Sequence, residues 1–150
     1  MHVESQITVA RSRPEVFDYL AHAEWLPEYV TDFAWVRKRS DGPARLGTEY
    51  AYKMERGQAE GTFEWTEFER PSRLAWHGPP AKVGPGSMEP SGYWELAEEG
   101  ASTRVRLVMA PTPRGAFRLL APFMAFGMRR GNRMALERLK RRLEGGTPTQ

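Results

Sequence analysis

The sequence predicts an α+β fold: a seven-stranded antiparallel sheet curved around one long C-terminal helix, with two short helices between strands 1 and 2. Three observations carry this reading. Apolar residues recur at every second position in one stretch near the N-terminus and in six more between residues 32 and 110. Most of the connections within that run are short, which favours antiparallel neighbours. From residue 115 the apolar period lengthens to that of a helix and holds to residue 144. Strands grouped apart from a terminal helix describe an α+β architecture and not an alternating α/β one.

Taken in order, "VESQITVA" at 3–10 alternates, with Val3, Ser5, Ile7 and Val9 on one face of a first strand. "SRPE" then combines Ser12 as a cap, Pro14 in the first turn and Glu15 three residues after the cap, the signature of a capping box. A short helix over 13–22 follows, burying Val16, Phe17 and Leu20, and "EWLPEYV" at 24–30 gives a second helical turn anchored by Trp25 and Tyr29. "DFAWVRKRS", ended by "DGP", is the second strand, and "GTEYAYKMERG" the third, with Tyr50, Tyr52 and Met54 on one face. A turn around Arg56, Gly57 and Gln58 leads into "AEGTFEWTEFER", where Phe63 and Trp65 share a face that Phe68 leaves, so a bulge is expected near Thr66 or Glu67. "RLAWH" is a short strand with Leu74 and Trp76 on one side. The Gly- and Pro-rich segment 78–92 reads as one long hairpin loop. "YWELAEE" and "STRVRLVMA" are the last two strands, the first presenting Trp94 and Leu96 and the second Val105, Leu107 and Met109. The helix from about Gly115 to Glu144 is expected to kink at Pro122.

Residues 1–144 are expected to form a single domain and 145–150 a disordered tail. A chain of 150 residues buries roughly 70% of its unfolded surface on folding, enough for one core. Mean hydropathy of −0.62 and 40% apolar content describe a globular, water-compatible chain, and neither a membrane span nor a signal peptide is visible. The expected location is the cytoplasm. Absent cysteine removes disulfides, thiol nucleophiles and thiolate metal sites. His2, His22 and His77 are the only histidines and stand in no metal-ligand spacing, so no metal and no cofactor are expected. The net charge of +3 is concentrated in the last helix, at Arg129, Arg130, Arg133, Arg138, Lys140, Arg141 and Arg142. Without interleaved aromatics or a DNA-reading motif, this is a solvated helix face, and no nucleic-acid partner is expected.

One position breaks the pattern of that helix. Asn132 stands level with Met128 and Leu136 and in line with Ala125 and Leu139, in the middle of the apolar stripe. Gly127 and Gly131 flank the stripe at a cost of about 1 kcal/mol each relative to alanine.

"ITVARSRPEVFDYLAHAEWLPEYV" at 7–30, "LGTEYAYKM" at 46–54, "EFERPSRLAW" at 67–76, the "GASTRVRL" hairpin at 100–107 and "RLKRRLE" at 138–144 together resemble the SRPBCC, or START-like, superfamily, in its polyketide cyclase/dehydrase-like branch. The likeness spans residues 3–144. It implies a helix-grip fold, with a ligand cavity between sheet and terminal helix. Its relatives include aromatase/cyclases acting on carrier-bound polyketides, lipid and sterol carriers, hormone receptors and self-resistance proteins. No catalytic set of the family carries over onto this sequence.

A cavity of that kind answers the question that Asn132 raises, because water or a ligand can satisfy an inward amide. The glycines then admit a neighbouring group or enlarge the cavity. Tyr50, Tyr52, Met54, Phe63, Trp65, Trp76, Trp94 and Met109 are the expected lining from the sheet, with Phe117, Met124, Met128 and Asn132 from the helix. Stacking surfaces with few hydrogen-bonding groups suit a hydrophobic, aromatic or polycyclic small molecule, polyketide- or lipid-like. Each of these residues, taken singly, also fits an ordinary core. The expected function is to hold such a molecule for carriage, sequestration or self-resistance in secondary metabolism. The alternative is a polyketide aromatase/cyclase or dehydratase acting by cavity shape, with acid/base help from His77, Tyr52 or Asn132. Strand parity turns His77 outward, opposite to Trp76, and Ser87 and Ser91 lie outside any Ser-His-Asp pattern. A third reading gives the basic helix face a regulatory contact with nucleic acid or an acidic partner. Segment 78–92 is the expected gate, residues 25–30 the opposite lip, and the protein is expected to be a monomer or weak homodimer.

Overall fold

A computed structural model of the chain describes residues 1–57 and 59–145. β1 (Val3–Val9) is followed by α1 (Arg13–Ala21) and a 3-10 helix (Ala23–Glu28). Ser12 caps α1 through the foreseen reciprocal box with Glu15, an arrangement worth about 1 kcal/mol. Then come β2 (Phe33–Lys38), β3 (Glu49–Met54), β4 (Glu60–Glu69), β5 (Arg73–His77), β6 (Ala81–Val83), β7 (Gly86–Glu89), β8 (Ser91–Glu99), β9 (Ser102–Met109), β10 (Thr112–Gly115) and α2 (Phe117–Gly145).

As predicted, seven strands form one antiparallel sheet; their order is β1-β9-β8-β5-β4-β3-β2. Its inner face carries Tyr50, Phe63, Trp65, Leu74, Trp94 and Val105, all buried. On the outer face an ionic ladder runs Glu67–Arg73–Glu95–Arg106–Glu4 across the strands, so alternation along each strand separates core from water. The expected bulge is present: the β4–β5 register shifts between Trp65 and Glu67, which turns Phe68 inward, edge-on to Phe17 of α1 at 5.2 Å.

Segment 78–92 is not one loop. It contains β6 and β7, which join β10 in a second sheet of order β10-β7-β6, and its last residues open β8. Val83 pairs with Gly86 across a two-residue turn, and Gly84 has φ +58°, at the turn position that favours glycine. Gly84 and Pro85 are therefore the turn of a short hairpin, and the third strand of its sheet lies beyond the segment at 112–115. Gln58 of the expected β3–β4 turn, and 146–150 of the expected tail, lie outside the described residues; Gly145 is the last residue of α2.

The large sheet grips α2 through its C-terminal half. Ala135, Leu136 and Leu139 are buried, and Lys140 Nζ donates to Thr8 O (2.7 Å) and to Glu144, which in turn accepts from Ala10 N (2.7 Å). Gly127 and Gly131 neither admit a neighbour nor enlarge a cavity. Both are exposed, and a Cβ added at either meets nothing within 4 Å, because their flank of the stripe faces away from the sheet.

Candidate ligand cavity

Between the sheet and α2 lies a partly enclosed cavity of about 250 Å³. β3, β4, β5, β8 and β9 contribute Tyr52, Met54, Phe63, Trp65, Trp76, Trp94 and Met109. α2 contributes Met128, Asn132 and Ala135. Leu26, Val30 and Phe33 border it on the side of the 3-10 helix, and Ala81, Met88, Pro90, Ser91 and Pro111 on the side of the second sheet.

Two cross-strand pairs shape the aromatic wall. Tyr52 stands opposite Gly61 and Trp76 opposite Gly92, and each ring lies over its glycine: a Cβ at Gly61 would sit 2.5 Å from the Tyr52 hydroxyl, and one at Gly92 2.5 Å from Trp76 Cζ2. Missing side chains on the neighbouring strand thus let large rings lie flat along the sheet.

Nine of the twelve expected lining residues meet here, and three do not. Tyr50 is a strut of the core: it is fully buried, its hydroxyl donates to Ala21 O (3.1 Å) and accepts from Trp65 Nε1 (3.3 Å), and burial pushes its ionisation up to about 12. Phe117 packs over Gly86 of β7, and Met124 is half-buried on α2 without reaching the cavity. Leu26 and Val30 fall within the expected lip at 25–30, whereas Leu20 and Phe33 on either side of it carry no lining signal, because the apolar residues there follow no single period through the Pro27 interruption. Met88 and Ser91 lie in the segment expected as the gate, and Pro111 lies just before β10, which no local period announces.

Polar groups in the cavity are few. Burial raises the Tyr52 hydroxyl above the usual tyrosine range, so it stays protonated and can donate a hydrogen bond. Among the described residues, Arg13 Nε, Glu24 Oε1, Tyr29 Oη and Asn132 Nδ2 are buried without a partner, and of these residues only Asn132 lines the cavity. Leaving such a donor unmatched costs about 1–3 kcal/mol. His77 is exposed, as strand parity required, and its Nε2 lies 2.8 Å from Glu89 Oε2. Glu89 also accepts from Arg114 (2.8 Å), and His77 and Arg114 together hold its carboxyl below the usual range. This cluster ties β5, β7 and β10 together outside the cavity, so His77 is not positioned to reach a molecule within it. No group of three or more metal-ligating side chains converges, and no helix is long and apolar enough to cross a membrane, among the described residues.

The family model described as "Polyketide cyclase / dehydrase and lipid transport" matches residues 1–144. The chain belongs to this family. Solved structures with the same fold include TTHA0849 from Thermus thermophilus, at 17% identity and TM-score 0.78, covering 98% of this chain and 100% of that one. A START superfamily protein from Mycobacterium smegmatis aligns at 11% identity and TM-score 0.79, covering 97% and 99%. The Zhui aromatase/cyclase from Streptomyces sp. R1128 aligns at 17% identity and TM-score 0.69, covering 95% of each chain. At these identities the likeness establishes the fold. No curated protein sequence matches the chain.

Proposed function

We propose that the protein binds a hydrophobic, aromatic or polycyclic small molecule, polyketide- or lipid-like, between sheet and α2, for carriage, sequestration or self-resistance in secondary metabolism. The observation that carries this reading is Asn132 Nδ2, a buried donor without a partner in an otherwise apolar cavity. In a solid core such a donor stays unmatched at a cost of about 1–3 kcal/mol, whereas a ligand carbonyl or hydroxyl in the cavity satisfies it. The rings of Phe63, Trp65, Trp76 and Trp94 offer the stacking surfaces that a planar ligand needs. In this reading the protein acts in the cytoplasm, as a monomer or weak homodimer and without nucleic acid.

Three of the five tryptophans border the cavity, so a bound ring system should quench intrinsic fluorescence. Titration with polycyclic ketones and long-chain fatty acids is expected to give saturable quenching with at least one class. A panel without any saturable response would reject the proposal.

The second reading is a polyketide aromatase/cyclase or dehydratase, favoured by two proton-bearing groups, Tyr52 and Asn132, on one cavity. Cavity shape would fold the substrate, and the neutral Tyr52 hydroxyl would donate to a developing enolate oxygen. This reading requires product formation from a poly-β-ketone thioester that Tyr52→Phe or Asn132→Ala lowers and His77→Ala leaves unchanged. Turnover indifferent to both cavity substitutions would remove it.

A further inference from the structure

The helix that closes the cavity has a second apolar face, turned to solvent. Leu119, Leu120, Phe123 and Phe126 are 84%, 47%, 78% and 72% exposed. Single exposed apolar residues are ordinary, but four large ones within two turns form a patch that calls for a partner. Leu119, Phe123 and Phe126 stand at i, i+4 and i+7 and so share one side of α2, away from Met128 and Asn132. Arg130 and Arg133 continue that side toward the C-terminus, at i+4 and i+7 from Phe126, with Arg129 beside them and Arg118 at the start of the helix. From Phe117 to Leu136 the helix carries four arginines and no Asp or Glu, and none of the four enters an ion pair among the described residues.

We propose that the first half of α2 seats on an anionic lipid surface, with Leu119, Phe123 and Phe126 entering the boundary of the acyl chains and Arg129, Arg130 and Arg133 meeting the phosphates. Charge decides between a bilayer and a second copy of the chain. A second copy would bring a matching set of unpaired arginines with a single acid on that side, Glu137, to set against them, whereas an anionic leaflet supplies the counter-charge throughout. Apolar side chains followed along the same helix by arginines match the two layers that an interfacial helix meets, acyl boundary and headgroups. Because the opposite side of the same helix lines the cavity, docking brings an apolar site next to a reservoir of apolar molecules. The docking stands whether or not the cavity holds a ligand.

Flotation of the purified protein with phosphatidylcholine vesicles, and with vesicles of equal parts phosphatidylcholine and phosphatidylglycerol, tests this without any cargo. The protein is expected to float with the anionic vesicles, weakly with the neutral ones, and less as salt rises. Phe123→Ser with Phe126→Ser should lower partition about tenfold or more, given the apolar area withdrawn from the bilayer. Arg130→Glu with Arg133→Glu should lower it by a similar factor on anionic vesicles and leave neutral ones unchanged. Both pairs are exposed, so melting temperatures should stay near that of the wild type; if the serine pair fails to fold, the arginine reversal decides. Absence of flotation with anionic vesicles, or flotation indifferent to the arginine reversal, would overturn the proposal. So would a concentration-dependent dimer in analytical ultracentrifugation that the serine pair dissolves while the wild type stays off vesicles.

Discussion

Asn132 is one amide in the wrong place for a packed helix, and its misfit was visible from spacing alone. Its neighbours Gly127 and Gly131 misled the same reading, because a sequence shows that a side chain is missing and not what it would have met. On the structure both open onto empty space. Replacing either by alanine should therefore stabilise the protein, by about 1 kcal/mol, since helix propensity improves and nothing is displaced. Thermal melting of Gly127→Ala and Gly131→Ala checks this; a lowered melting temperature would mean that the backbone there is approached by something in solution. Tyr50 is the converse case. Parity assigned it correctly to the inner face, but only the distances to Ala21 and Trp65 separate a core strut from a cavity wall.

At the scale of elements, the main strands and both N-terminal helices were legible because each carries a complete local signal: alternation, a capping box, or a helical stripe. β6, β7 and β10 carried none. They are three or four residues long, and their pairing joins 86–89 to 112–115 across two intervening strands. No local period encodes such a contact. What holds the small sheet to the large one is in part the His77–Glu89–Arg114 cluster. Glu89→Gln is expected to speed amide hydrogen exchange in 81–89 and 112–115 while leaving β1, β8 and β9 protected. Uniform acceleration would show that the cluster supports the whole fold, and no change that it supports neither sheet.

For the whole molecule, the buried phenols make a prediction about alkaline stability. Desolvation raises Tyr50 to about 12, places Tyr29 well above the usual value of 10.0, and raises Tyr52 as well. Folding thus favours the neutral phenol in each case. Their contribution is complete below the unfolded value near 10, and it declines as pH rises from there through the folded value. Melting temperature should fall between about pH 10 and 12, in step with tyrosinate absorbance, and Tyr50→Phe should flatten part of that fall. The family and the curved sheet around a terminal helix were accessible from the sequence because they rest on nearly the whole chain. The cavity's outline was accessible only in part, because irregular segments and the second sheet supply much of its border.

The proposed function implies that the Asn132 amide donates a hydrogen bond to the bound molecule. The most direct measurement compares the affinity of wild type and Asn132→Leu for a polycyclic ketone and for its parent hydrocarbon of the same shape, followed by tryptophan quenching. Loss of one hydrogen bond should weaken ketone binding about fivefold and leave the hydrocarbon unchanged or tighter. Equal affinities of the two proteins for the ketone, or no binding of either compound, would contradict it.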